Sequence, residues 1–138
     1  MNIVITLPRT LWEKIKSGEK TVELRKSVPR LFDNATSKCF VVLKGTSEIV
    51  GYFKISQFTS CPLEHIDVNK MAKIAGIPPL WFRTYYATSQ VAHIWHISEV
   101  YEYPSSSINL SRLWVTRNPQ SYVYTINDLL FKARKVSR

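Results

Sequence analysis

Several resources are scarce in this chain, and each shortage excludes a class of protein. Two cysteines, Cys39 and Cys61, are too few for a disulfide framework in 138 residues, and no Cys-x-x-Cys pair is present to hold zinc. Only four glycines occur, none in a Gly-rich phosphate loop, and no βαβ rhythm accompanies them; Rossmann and P-loop folds are therefore disfavoured. No apolar run approaches the roughly 20 residues that cross a bilayer. Residues 1–8 lack the basic segment and apolar length of a signal peptide. No internal repeat, linker or low-complexity stretch is visible. The expectation is a single soluble, cytoplasmic, reduced domain over residues 1–138, with no membrane partner.

Negative charge is also in short supply. Nineteen Lys and Arg face ten Asp and Glu, a net charge of +9. The surplus is uneven: residues 1–30 hold seven basic and three acidic groups, residues 31–110 six of each, and residues 111–138 six basic against one acidic. If the two ends meet in space they form one positive face, the footprint of a polyanion partner. A generally solvated basic surface is the plainer alternative.

What is present in quantity is apolar material, 45% hydrophobic and 12% aromatic, enough for a proper core. Asn2 to Thr6 reads as a strand stopped by Pro8. Thr10 and Glu13 are spaced as a capping box for a helix over 11–17, with Gly18 as its terminator. From Thr21 to Arg25 the period becomes two, with Val22 and Leu24 facing inward and Thr21, Glu23 and Arg25 forming a charged outer face. Cys39–Leu43 and Ile49–Ile55 read as a hairpin about Gly45, with Gly51 marking a bulge or bend. Residues 63–88 read as a helical insertion in two pieces. Val91 to Tyr103 is the longest strand candidate, closed by Pro104 and three serines, and Tyr122 to Ile126 is a final strand. Asn127 is expected to cap a C-terminal helix opening at Asp128-Leu129-Leu130, followed by a flexible basic tail from Lys132 that tracks phosphates. The fold class is α+β: a small, mostly antiparallel β-barrel with flanking helices.

The helix-to-strand junction carries Gly18, Lys20, Glu23 and Arg25 in the pattern Gly-x-Lys-x-x-Glu-x-Arg. This resembles the hallmark of the ASCH domain of the PUA-like superfamily, over residues 1–126. The segment Pro119-Gln120-Ser121-Tyr122 also resembles a pattern of one ASCH-like subgroup. The resemblance implies a barrel with a cleft between barrel and helices, lined by the Lys, Glu and Arg of the motif. It further implies binding of RNA or modified nucleosides, with a few members being enzymes. An amidohydrolase branch, which cleaves the acetyl amide of N4-acetylcytidine, is understood to use the motif Lys as base and a Thr three residues later as nucleophile. Here Lys20 matches, but Glu23 stands at the Thr position.

The candidate ligand-binding residues are accordingly Lys20, Thr21, Glu23, Arg25, Lys26, Gln120, Ser121 and Tyr122. Lys20 and Glu23 are the catalytic candidates if the chain is an enzyme. Arg25 offers a planar fork for phosphate or a base edge. Trp81 and Tyr122 are the aromatic candidates for base stacking. The plainer reading of Glu23 and Arg25 is a surface ion pair, worth under about 1 kcal/mol. His93 and His96, three apart on a strand, point to opposite faces, so no metal site is expected, and no cofactor. The expected partner is nucleic acid, RNA or a nucleoside. The alternative is a hydrolase, amidohydrolase or ribonuclease, using the same cleft.

Overall fold

In the computed structural model, which describes residues 1–104, 108–129 and 131–136, one eight-stranded sheet gathers segments from both ends of the chain. Its strands are β1 (Asn2–Leu7), β2 (Val22–Arg25), β3 (Cys39–Leu43), β4 (Glu48–Pro62), β5 (Val91–Glu102), β6 (Ile108–Asn109), β7 (Tyr122–Thr125) and β8 (Arg134–Lys135). The order along the sheet is β2-β5-β4-β3-β1-β7, with β6 added to β4 and β8 to β5. Every pairing is antiparallel except β1 with β3. β2 and β7 lie at the two ends of the order and do not pair among the described residues. The expected barrel is therefore an unclosed sheet.

Both faces of the central strands are covered, and the alternation of side chains sorts them into separate cores. Ile3, Ile5 and Leu7 of β1 join Trp12 and Ile15 of helix α1 (Arg9–Ser17), together with Val41, Phe53 and Trp95. Val4, between them in sequence, points the other way, toward Phe40, Tyr52, Tyr103 and Leu113. A third cluster packs Val22 and Leu24 of β2 and Ala92 and Ile94 of β5 beneath two further helices, α2 (Val68–Ala75) and α3 (Pro79–Tyr85).

The third cluster overturns the expected outer face of β2. The helical insertion covers the Val22 and Leu24 side, so period-two alternation turns Glu23 inward, where it is 6% exposed. Sequence alternation identified the two faces but not which of them the helices would occupy.

Three further expectations change. Thr10 does not cap α1: the helix opens at Arg9 after Pro8, whose carbonyl accepts from Leu11 and Trp12, which puts Thr10 inside the first turn. Gly18 does end it, in the left-handed region at φ 86°. β4 continues past Ile55 to Pro62, because the segment from Gln57 to Pro62 pairs with the first half of β5. Asn127 starts no helix; its Nδ2 donates to the Leu113 carbonyl, and Leu130 lies outside the described residues.

The basic tail is docked in part. Val136 donates its backbone N–H to Val100, and Arg134 pairs with Glu102, so the strand β8 replaces the expected free arm over 134–136. Residues 137–138, like the serines at 105–107, lie outside the described set. Gly51 sits where the β3–β4 register shifts, and its need is steric. A Cβ there would run into the Tyr101 carbonyl and reach 2.7 Å from the Trp12 ring.

Among the described residues, no helix is long and apolar enough to cross a membrane.

Candidate functional site

The turn after α1 drops Lys20 into the gap between β2 and the C-terminal end of α2, leaving it 1% exposed. Its ammonium donates to the Val22 carbonyl at 2.8 Å, the Ala75 carbonyl at 2.8 Å and Glu23 Oε1 at 3.2 Å. Burial pulls the proton affinity of Lys20 below the ordinary lysine range, and the Glu23 carboxylate restores it only in part. For Glu23, burial alone would raise the carboxyl, but the charges and hydrogen bonds of Lys20 and Arg25 outweigh it and hold the group below the usual range. Glu23 is thus an anion clamped by two cations.

Arg25 completes the row. Its Nη2 donates to Glu23 Oε2 at 3.3 Å and its Nη1 to the Ser121 carbonyl at 3.2 Å. The guanidinium lies over the Trp95 ring, 5.4 Å from its centroid. It bridges from β2 to the segment just before β7, spanning the two unpaired ends of the sheet.

A cleft of about 590 Å³ opens over this row. Lys20, Glu23, Leu24 and Arg25 share its lining with Thr6, Leu7 and Leu11 from the β1–α1 side, Ala75 at the end of α2 and Ile77 beyond it, Trp81, Thr84 and Tyr85 of α3, and Lys44, Gln120 and Ser121. Trp81 is 58% exposed and Tyr85 39%, so two aromatic rings stand at the rim. Lys26 does not line the hollow, but its ammonium sits 4.7 Å above the Tyr85 ring.

Of the residues singled out from sequence, the structure brings Lys20, Glu23, Arg25, Gln120, Ser121 and Trp81 to one cleft. It does not bring Thr21, which is exposed and contributes backbone bonds to Ile74 and Ile97. Tyr122 lies behind the row, edge-on to Trp95 at 5.7 Å. His93 and His96 are held by hydroxyls, Ser60 and Thr59, each at 2.8 Å. Among the described residues no group of three His, Cys, Asp or Glu side chains could hold a metal ion.

Sequence reasoning missed Lys44, Tyr85 and Thr84 as cleft residues. Lys44 carried no signal, because only the β1–β3 pairing sets the end of β3 beside the motif. Tyr85 and Thr84 could have been found from the insertion, had its docking over β2 been foreseeable.

No protein-family model and no curated protein sequence matches the chain. Solved structures do match. The ASCH protein of Zymomonas mobilis superposes with a TM-score of 0.68 at 20% identity, covering 89% of this chain and 86% of that one. Two single-residue variants of the same protein give TM-scores of 0.67 and 0.64 at 19% and 21% identity, covering 89% of this chain and 87% and 88% of theirs. The chain has the ASCH fold.

Within the ASCH fold, the motif Gly18, Lys20, Glu23 and Arg25 holds a definite physical role. Gly18 releases the chain from α1, Lys20 ties β2 to α2, and Glu23 couples Lys20 to Arg25. The plainer reading, a surface ion pair, does not describe this geometry: the side chains of Lys20, Glu23 and Arg25 are 1%, 8% and 12% exposed.

Proposed function

We propose that this ASCH-fold chain binds RNA, or a modified nucleoside within it, through the cleft over Lys20, Glu23 and Arg25. One observation carries the reading: a guanidinium held by Glu23 and Ser121 lines the same cleft as two exposed aromatic residues, Trp81 and Tyr85. A nucleobase needs a π-face to stack on and a charged edge to pair with, and the hollow offers both.

Charge favours the same ligand class. The lining holds three cations, Lys20, Arg25 and Lys44, against one carboxylate, Glu23. Lys44 is exposed, and its ammonium has no ion-pair partner among the described residues, so it is available to a phosphate. The +9 net charge adds long-range attraction for a polyanion.

The test is binding of labelled single-stranded RNA across a salt series. The reading expects log affinity to fall linearly with log salt, and Arg25→Ala and Trp81→Ala each to weaken binding about tenfold. Unchanged affinity and unchanged slope in Arg25→Ala would remove the cleft from the account.

A second reading, hydrolysis of RNA or of an acylated nucleoside, is favoured by one observation. Burial weakens the Lys20 hold on its proton, as a lysine acting as a base requires. Glu23 could then serve only as a carboxylate base toward water, not as the nucleophile that a Thr would be. Product analysis after incubation with N4-acetylcytidine and short RNAs decides it: turnover abolished in a Lys20→Met protein shown by thermal melt to be folded at the assay temperature supports the reading, and no turnover by the unaltered protein removes it.

A further inference from the structure

Trp114 combines two properties that seldom occur together. It is 85% exposed, and it holds a left-handed backbone conformation at φ 60°, the only non-glycine residue to do so among the described residues. A bulky side chain in that region is strained. The strain is held by neighbours: the Trp114 N–H donates to Ser111, and Leu113 accepts from Thr125 Oγ1 and Asn127 Nδ2. An indole is thereby presented to solvent by a backbone that is tied down at its own N–H and at the Leu113 carbonyl.

Beside it runs a second groove of about 590 Å³, lined by Trp114, Arg117, Asn118, Gln120, Tyr122 and Tyr124 among others. Arg117 is exposed and makes no hydrogen bond or ion pair among the described residues. Gln120 lines this groove and the ASCH-motif cleft alike. The ridge that carries Gln120 is pinned from three directions. Asn118 donates to the Thr46 carbonyl at 2.6 Å, Pro119 accepts from Thr6 Oγ1 at 2.9 Å, and Ser121 accepts from Arg25. Two hollows therefore adjoin across a rigid, polar ridge, each with an exposed aromatic ring and an unpaired cation: Trp81 with Lys44 in one, Trp114 with Arg117 in the other.

We infer that the second groove is a binding site for the nucleotide adjoining the one in the motif cleft, so that the ligand is a single-stranded polynucleotide rather than a free nucleoside. Trp114 stacks on the base and Arg117 takes a phosphate, while Gln120 lies under the backbone between the two sites. The inference rests on the proposed reading of the motif cleft and extends it to a class of ligand. Successive aromatic platforms beside successive cations are what a flexible single strand requires, because stacking and phosphate contact repeat with every nucleotide.

The experiment compares a labelled single-stranded RNA octamer with the four nucleoside 5′-monophosphates, using the full chain and its Trp114→Ala, Arg117→Ala and Arg25→Ala variants. Both groove side chains are exposed, and thermal melts check that each variant is folded. Expected results are an octamer that binds far tighter than any monophosphate, and a loss of about tenfold for the octamer in Trp114→Ala, larger than that variant's loss for any monophosphate. Arg117→Ala should lower the salt slope for the octamer by about 0.7. Arg25→Ala should weaken both ligands. The inference is overturned if Trp114→Ala and Arg117→Ala leave the octamer unaffected while Arg25→Ala weakens it, or if the octamer binds no tighter than a monophosphate. It is equally overturned if Trp114→Ala changes the mass in light scattering and not RNA affinity, since the indole would then join copies of the chain. Arg25→Ala without effect on either ligand would instead sink the motif-cleft reading, and with it this extension.

Discussion

Arg25 Nη1 donates to the carbonyl of Ser121 at 3.2 Å, joining two residues 96 apart in sequence that stand at opposite ends of one sheet. No strand pairing closes that sheet among the described residues, so a side chain spans the gap where backbone ladders do not. The same guanidinium is the charged floor of the cleft. One group therefore spans the sheet gap and serves the proposed recognition.

That coupling predicts that Arg25→Lys is not conservative. An ammonium cannot reach Glu23 and Ser121 together as a planar fork does. We expect Arg25→Lys to lose about 2 kcal/mol of stability by urea unfolding, close to Arg25→Ala, and to recover little of the RNA affinity. Full rescue of both by lysine would show that charge alone matters at this position.

Lys20 should behave as a buried strut. Removing it leaves the carbonyls of Val22 and Ala75 without this donor and the Glu23 anion with Arg25 alone. Lys20→Met is expected to cost about 3–5 kcal/mol, as breaking one side of a buried pair does. Adding Glu23→Gln should restore part of the loss, because the stranded charge is gone. Strict additivity of the two changes in a double-mutant cycle would contradict the coupling.

The pH dependence follows from Glu23. Its carboxyl in the folded chain lies below the ordinary value of 4.5, because Lys20 and Arg25 outweigh burial. The unfolded chain then binds the proton more tightly than the folded one. The stabilisation is complete above about pH 4.5 and drains away as the pH falls through the lower folded value. Urea midpoints measured from pH 7 down to 3 should fall more steeply for the unaltered protein than for Glu23→Gln. Parallel curves would place the acid sensitivity elsewhere.

The C-terminal strand gives a prediction opposite to that for a free arm. Arg134 and Lys135 are paired with Glu102 and Glu99, and Val136 packs against the main core. Deleting residues 134–138 should lower stability by about 1–2 kcal/mol, through lost strand pairing and buried area, and barely change the salt slope of RNA binding. A slope reduced by two or more with stability intact would restore the tail to the role of a phosphate-tracking arm.

Much of the site was legible in the chain. Spacing after Gly18 set Lys20, Glu23 and Arg25 at one helix-to-strand junction, the ASCH resemblance made them site candidates, and of Pro119-Gln120-Ser121-Tyr122 the structure brings Gln120 and Ser121 to the cleft but not Tyr122. Local signals of this kind survive because a helix terminator and a period-two strand are written within a few residues. The mostly antiparallel sheet with flanking helices was also foreseeable, but not that it stays unclosed, because whether end strands pair depends on contacts between residues about a hundred positions apart.

The sequence by itself determined which side chains alternate along β2, where α1 stops and how the positive charge divides between the two ends. Only the tertiary structure decided that the helices over 68–85 cover the Val22 and Leu24 side. That docking turns Glu23 inward, buries Lys20 and converts what would have been a solvated ion pair into a clamped anion. The physical reason is that periodicity fixes relative direction along one strand, whereas burial is decided by what packs against it.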